Sequence, residues 1–182
     1  TYQSYLQVRG KRVSAEVTIP AALIEKVLHT TPAHMLEYWN MSAIAGVLSG
    51  TLGIQGHFAN GLAALYIACG QDAACVAESA VGITRFELTE DGGLYATVTL
   101  PSIMVGTIGG GTGLPSQQAC LEILGLSGAG QSCALAEVAA GIILAGELSI
   151  IGALCSGDFS KAHQHLARTR KQNNEKSDTQ HG

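Results

Sequence analysis

Between residues 13 and 19 apolar and polar positions alternate: Val13, Ala15, Val17 and Ile19 are separated by Ser14, Glu16 and Thr18. A period of two puts each set on its own face of an extended chain, so this segment predicts a half-buried strand, closed by Pro20. A short amphipathic helix is expected over residues 21–29. Thr31 and Pro32 then suit an N-cap and a first helical position, restarting a helix over residues 33–39. A separate, tightly packed small-residue helix is expected over residues 42–52. Residues 57–70 form a strong apolar helical pattern, with Asp72 in its last turn or just past it. Residues 83–89 and 94–100 read as strands, and Asp91-Gly92 between them is the best short hairpin signal in the chain. An irregular glycine-rich loop (101–112), a helix (116–124), a turn, a long apolar helix (133–157) and a polar helical tail (161–170) complete the pattern. Without βαβ alternation, this order predicts an α+β, helix-rich domain with a β-hairpin and a small sheet.

Composition changes the picture in one respect. Hydrophobic residues make up 47% of the 182 and charged residues only 13%, about half the usual charged share. Part of the exterior is therefore expected to be covered, by another copy of the chain or by a complementing piece of the same domain. Self-association or poor solubility of the isolated chain follows. The 23 glycines fall inside apolar stretches, which suggests close helix packing and backbone brought near a ligand. Net charge is −4, and the only basic run lies in residues 161–176, so nucleic acid is not an expected partner. The five cysteines have no CxxC spacing and are expected to be reduced and buried, with no metal site. The longest apolar stretch, residues 139–154, contains Glu147 and falls short of a membrane span, so the chain is expected to be soluble.

Three places could carry chemistry. The run Gly106-Thr107-Ile108-Gly109-Gly110-Gly111-Thr112 would let bare backbone approach a phosphate or a flat ring, with a helix N-terminus following. It lacks GxGxxG spacing and sits in no βαβ unit, so a structural glycine turn is the alternative. Asp72, beside Gly70 and small apolar residues, could C-cap the preceding helix, form a structural ion pair or handle protons. His163 could be a surface residue or a general acid. His165, two positions on, points to another helix face and makes a shared metal implausible. Asn60, His57 and Ser149 are polar positions in apolar helical stretches. Glu147 requires an ion pair or backbone donors.

Taken together and in order, these segments resemble 3-hydroxy-3-methylglutaryl-coenzyme A reductase, in the carboxy-terminal half of its catalytic domain and closest to eukaryotic-type members. The likeness covers residues 5–168. It rests on Arg9-Gly10-Lys11, His57-Phe58-Ala59-Asn60, residues 67–74 around Gly70-Gln71-Asp72, residues 104–112, Ala145-Gly146-Glu147-Leu148-Ser149 and Lys161-Ala162-His163. It implies a partial catalytic domain over residues 1–168, a polar tail over 169–182, and a nucleotide-binding subdomain lying upstream. It implies NADPH-dependent reduction of the acyl thioester to mevalonate and coenzyme A. In that reaction Asp72 would be in the proton network and His163 would protonate the departing thiolate. Ser149 would stand beside that histidine, Asn60 and His57 would line the acyl pocket, and Gly106 to Thr112 would meet the cofactor. The parent family works on the cytoplasmic face, often anchored in the endoplasmic reticulum membrane. Two departures stand out: Met41 lies where the family has a lysine for the substrate carboxylate, and Glu137 where it carries a basic residue. The family's catalytic lysine and glutamate precede the matched region, so the isolated chain is expected to be inactive. A non-catalytic relative that binds a partner subunit or a nucleotide is the alternative.

Overall fold

A computed structural model of the chain describes residues 9–51 and 53–157. The first strand, β1 (Lys11–Ile19), alternates strictly between half-buried and exposed positions, as its sequence requires. Pro20 ends it and leads into α1 (Ala21–Leu28), which stops where His29 turns left-handed at φ 54°. Helix α2 (Pro32–Leu48) opens with the Thr31 hydroxyl accepting from the His34 N–H at 3.2 Å. It is one helix where the pattern predicts two, because neither Gly nor Pro interrupts residues 39–42 and both halves favour the same backbone. Its second half is not tightly packed: Met41, Ile44, Val47 and Leu48 are exposed.

Helix α3 (Phe58–Ala68) is followed by a 3₁₀ turn (Ala73–Cys75) and the one-turn α4 (Val76–Ser79). Strands β2 (Ile83–Leu88) and β3 (Leu94–Ile103) form the expected hairpin, paired from Leu88 with Leu94 to Ile83 with Thr99. The sheet is antiparallel in the order β1-β3-β2. β3 runs three residues further than the expected end at Leu100, through Pro101. The register explains how. Val13 faces Leu100 and Lys11 faces Ile103, so β3 uses three steps against two on β1, and β2 pairs no further than Thr99. Pro101 therefore sits in a bulge, beyond the reach of β2, where its missing N–H breaks no regular ladder. A second 3₁₀ turn (Gly110–Gly113) leads into α5 (Pro115–Ile123), and α6 (Ser132–Ser156) ends the described chain.

Helix α6 packs across β1 and β3 and against α2 and α3. Its buried positions, 135, 136, 139, 140, 143, 144, 147, 151 and 152, follow one face at helical period. They meet Ile24, Met35, Phe58, Leu62, Tyr66, Val98 and Leu100, none more than 1% exposed. Burial of each large side chain contributes about 1.5–3 kcal/mol. Helix α6 lies within one residue of the expected span. It has 25 residues and an 18-residue stretch of mean hydropathy 2.1, so by length and composition alone it could cross a membrane, which the apolar run of 139–154 did not suggest. In this fold one face of it is core. The cysteines also differ from expectation: all five are free, but only Cys69 is buried and Cys133 is exposed. Cys133 is in the first turn of α6, ahead of that helix's buried run.

Candidate functional site

The candidate residues gather at the two ends of α3. At its C-terminal end the helix closes on Cys69 and turns left-handed at Gly70, φ +66°. Only glycine suits that turn here: a Cβ on Gly70 would lie 2.7 Å from the Thr112 nitrogen and closer still to the Gly111 carbonyl. The two glycine segments thus touch backbone to backbone. The next residue, Gln71, reaches the same loop through its side chain. Its Oε1 accepts from the Gly106 N–H at 2.7 Å, and its Nε2 donates to the Gly106 carbonyl at 2.8 Å and the Cys69 carbonyl at 2.7 Å.

Asp72 follows. The sequence suggests an acid at the end of a buried helix, but in the structure its side chain is exposed. The exposed backbone turn after Gly70 carries it out of the core. One carboxylate oxygen accepts from the Ala74 N–H at 3.0 Å, capping the 3₁₀ turn, and the other faces the Cys75 thiol at 3.7 Å. Burial and the neighbouring Asp72 carboxylate push the Cys75 thiol above its ordinary value. Asp72 therefore caps the start of the 3₁₀ turn and not, as the sequence suggests, the C-terminus of α3, which closes on Cys69, and its carboxylate remains open to solvent.

The glycine-rich loop is held at its entry and open in its middle. Lys11 Nζ donates to the Val105 carbonyl at 3.0 Å. The buried Tyr66 hydroxyl donates to Ser79 Oγ at 2.8 Å, and Ser79 accepts from the Met104 N–H at 3.2 Å. Thr107 and Thr112 are buried, their hydroxyls donating to the Gly128 carbonyl at 2.6 Å and the Gly109 carbonyl at 2.7 Å. Between them Ile108, Gly109 and Gly110 are exposed, and a Cβ on Gly109 or Gly113 would meet nothing within 4 Å. Both threonines are turned inward and Gly109 to Gly111 leave bare backbone beside the exposed Ile108 side chain, so this surface fits a flat ring or a phosphate approaching the peptide planes. α5 begins directly after it.

At the N-terminal end of α3 the arrangement is different. Glu147, fully buried in α6, accepts from the His57 N–H and from the Thr84 hydroxyl at 2.9 Å, and the Gly56 N–H also points to it. Among the described residues, backbone N–H groups and the Thr84 hydroxyl satisfy it. Burial raises its pKa, and the His57, Thr84 and Gly56 donors oppose that rise without cancelling it. The His57 ring lies against Gly146 of α6 and against Gly61, where a Cβ would come within 2.8 Å of Nε2. Side chains at either glycine would displace the ring.

Asn60 is exposed in the first turn of α3. The helix rise puts it roughly 12 Å along the axis from Ala68, so Asn60 and Asp72 lie at opposite ends of the element. Ser149 is exposed on another face of α6, lining an apolar cleft of about 380 Å³ with Ile24, Leu28 and Leu148. The described fold therefore sets Gly70 and Gln71, the two residues before Asp72, against the 106–112 loop. It holds His57 at the other end of α3 and turns Ser149 toward α1. His163 lies outside the described residues. Among those residues no group of three His, Cys, Asp or Glu side chains could hold a metal.

The roles of Gln71, Lys11 and Tyr66 were not read from the sequence. A glutamine between a glycine and an aspartate has no periodic or motif signature of its own. Its only cue is the left-handed turn that Gly70 invites.

A family model described as hydroxymethylglutaryl-coenzyme A reductase matches residues 1–168. The 3-hydroxy-3-methylglutaryl-coenzyme A reductase of Methanothermobacter thermautotrophicus is 41% identical over 164 residues, which cover 90% of this chain and 41% of that protein. The Haloferax volcanii protein of the same name is 45% identical over 166 residues, 88% of this chain and 41% of that one. The 3-hydroxy-3-methylglutaryl coenzyme A reductase 2-B of Panax ginseng is 42% identical over 181 residues, 92% of this chain and 30% of the plant protein. The likeness thus reaches archaeal as well as eukaryotic members. The chain spans about two fifths of the length of the archaeal relatives.

Proposed function

The chain belongs to the hydroxymethylglutaryl-coenzyme A reductase family, and on that premise we propose that it supplies the Asp72 and glycine-loop portion of a site that reduces 3-hydroxy-3-methylglutaryl-coenzyme A to mevalonate and coenzyme A. The observation that carries this is the seam at the C-terminal end of α3. There an exposed carboxylate is fixed one residue from an amide bonded to a bare-backbone loop. A reduced nicotinamide, when bound, would supply hydride, and two are consumed per mevalonate because thioester to alcohol is a four-electron reduction; NADPH is the proposed form. Gly109 to Gly111 offer it bare backbone beside the exposed Ile108 side chain. Asp72 belongs to the proton network around the reacting carbonyl, where general acid–base groups are effective. Asn60, His57 and Ser149 orient the acyl group, and His163 protonates the leaving thiolate. The family's lysine and glutamate, from sequence outside this chain, complete the site, and the lysine stabilises the developing oxyanion. This portion of the parent protein works on the cytoplasmic side of the membrane.

The test mixes this chain with the part of the Haloferax volcanii relative that precedes the aligned region and follows cofactor oxidation with 3-hydroxy-3-methylglutaryl-coenzyme A. Turnover is expected for the mixture, faster with NADPH than NADH, absent for either piece alone and lost in Asp72→Asn. Turnover in the mixture that survives Asp72→Asn would overturn the assignment of Asp72.

One observation favours a second reading. Met41, where the resemblance calls for a lysine, is 63% exposed and continues into exposed Ile44, Val47 and Leu48. An apolar strip there suits a non-catalytic subunit covered by a partner. Met41→Lys separates the two: a lower KM for the acyl substrate in the mixture supports the enzyme, and loss of assembly without a kinetic gain supports the partner-binding role.

A further inference from the structure

Gln71 reaches neither the exposed middle of the loop nor the Asp72 carboxylate, yet among the described residues its side chain bonds to both segments of the seam. Its amide meets Gly106 as one backbone peptide meets another, donating to the carbonyl and accepting from the N–H. Its third bond returns to the Cys69 carbonyl at the end of α3. An amide can make all three, because it carries an acceptor and two donors on one rigid plane. Asp72 is the next residue, so the side chain that fixes Gly106 also fixes the peptide from which Asp72 departs. Gly70 against Gly111 locks the far end of the same loop. Between those two fixed points lie Ile108, Gly109 and Gly110, the exposed stretch.

We infer that Gln71 is a positioning residue: its side-chain amide sets the distance and orientation of the glycine-rich loop relative to Asp72. The inference rests on the reductase reading for its catalytic consequence, and on hydrogen-bond geometry alone for its structural one. Misplacing a bound reactant by about 1 Å can cost on the order of 100-fold in rate. Loss of the clamp should therefore appear in kcat and leave the KM for the acyl substrate nearly unchanged, because no contact to that substrate is removed.

Gln71→Glu provides a signature that a general packing role would not give. Its carboxylate keeps an acceptor for the Gly106 N–H but faces the Gly106 and Cys69 carbonyls without a donor. Protonated, it regains one O–H donor and can restore the reciprocal pair. The titratable groups nearest it are Asp72 and Cys69 along the chain and Lys11, whose ammonium holds the Val105 carbonyl.

The experiment measures amide exchange at Gly106 in this chain, corrected for intrinsic rates, and steady-state kinetics in the mixture described above. Gln71→Ala is expected to speed Gly106 exchange at least about 10-fold and to lower kcat about 10–100-fold with KM within about 3-fold. Gln71→Glu is expected to lose Gly106 protection near neutral pH and recover it as pH falls, a response absent from Gln71→Ala. Unchanged Gly106 protection in both variants, or a protection loss in Gln71→Glu that ignores pH, would overturn the inference. A mixture with no turnover at all sinks the reductase reading of this chain, and the exchange data still decide whether Gln71 holds the loop.

Discussion

The two ends of α3 solve similar problems with opposite chemistry. At the N-terminal end a buried carboxylate, Glu147, gathers donors from residues 56–57 and from Thr84 of β2. At the C-terminal end a neutral amide, Gln71, pairs with the loop, and the carboxylate beside it stays exposed. A charge removed from water stabilises only if every donor around it is in place, so the first arrangement is rigid and intolerant. The second leaves its acid free of structural duty beyond one capped turn. The difference teaches where to look for function: the acid that the fold can spare is Asp72, and the acid that it cannot spare is Glu147.

The largest effect that would sharpen this contrast is Glu147→Ala. It leaves the buried Thr84 hydroxyl and the half-buried His57 amide without their acceptor, at about 1–3 kcal/mol for each unsatisfied group, and a loss of about 2–5 kcal/mol is expected. Trp39 is the only tryptophan and its indole donates to the Thr84 carbonyl at 2.7 Å, so denaturant melts followed by its fluorescence report directly on this end. A loss below about 1 kcal/mol would break the comparison.

Next comes Gly70→Ala at the other end. A left-handed φ and a Cβ against the Gly111–Thr112 backbone should together cost about 2–4 kcal/mol. The same melts check it, and a neutral result would mean that the two loops separate easily.

A smaller effect is the pH dependence of stability. The Glu147 pKa is raised in the fold, so its contribution is fully present below the ordinary glutamate value and is lost as pH rises through the raised one. Stability should therefore decline across that window, and Glu147→Gln should flatten the decline. A Gln variant with the same slope as the parent would assign the dependence to other groups.

The smallest is Asp72→Asn. Asparagine caps as well as aspartate, so stability should change by about 0.5 kcal/mol or less while turnover of the mixture disappears. A large loss of stability would make Asp72 a structural acid like Glu147 and erase the distinction.

Much of the fold was legible in the chain. The period of two in β1, the Asp91-Gly92 hairpin, the Thr31-Pro32 start of α2 and the span of α6 all follow from local preferences that the tertiary structure keeps. Two features were not. The continuity of α2 depends on the absence of a breaker, and a small-residue pattern does not report whether a neighbour covers it. The extension of β3 through Pro101 depends on its pairing with β1, more than 80 residues away, which no local window contains. For the site, the glycine run and Asp72 stood out by residue type, but the exposure of Asp72 and the role of Gln71 are consequences of a left-handed Gly70 packing against Gly111 across the fold.

Before the domain folds, α6 is a 25-residue segment as apolar as many that enter bilayers. An acidic side chain near the middle of such a segment raises the free energy of insertion by roughly 2.5–3.5 kcal/mol. That disfavours lateral escape into lipid by about 100-fold, at about 1.4 kcal/mol per factor of ten. Glu147 therefore acts on the nascent chain as well as on the finished one: it biases its helix against a hydrophobic exit and keeps it available to the sheet it must cover.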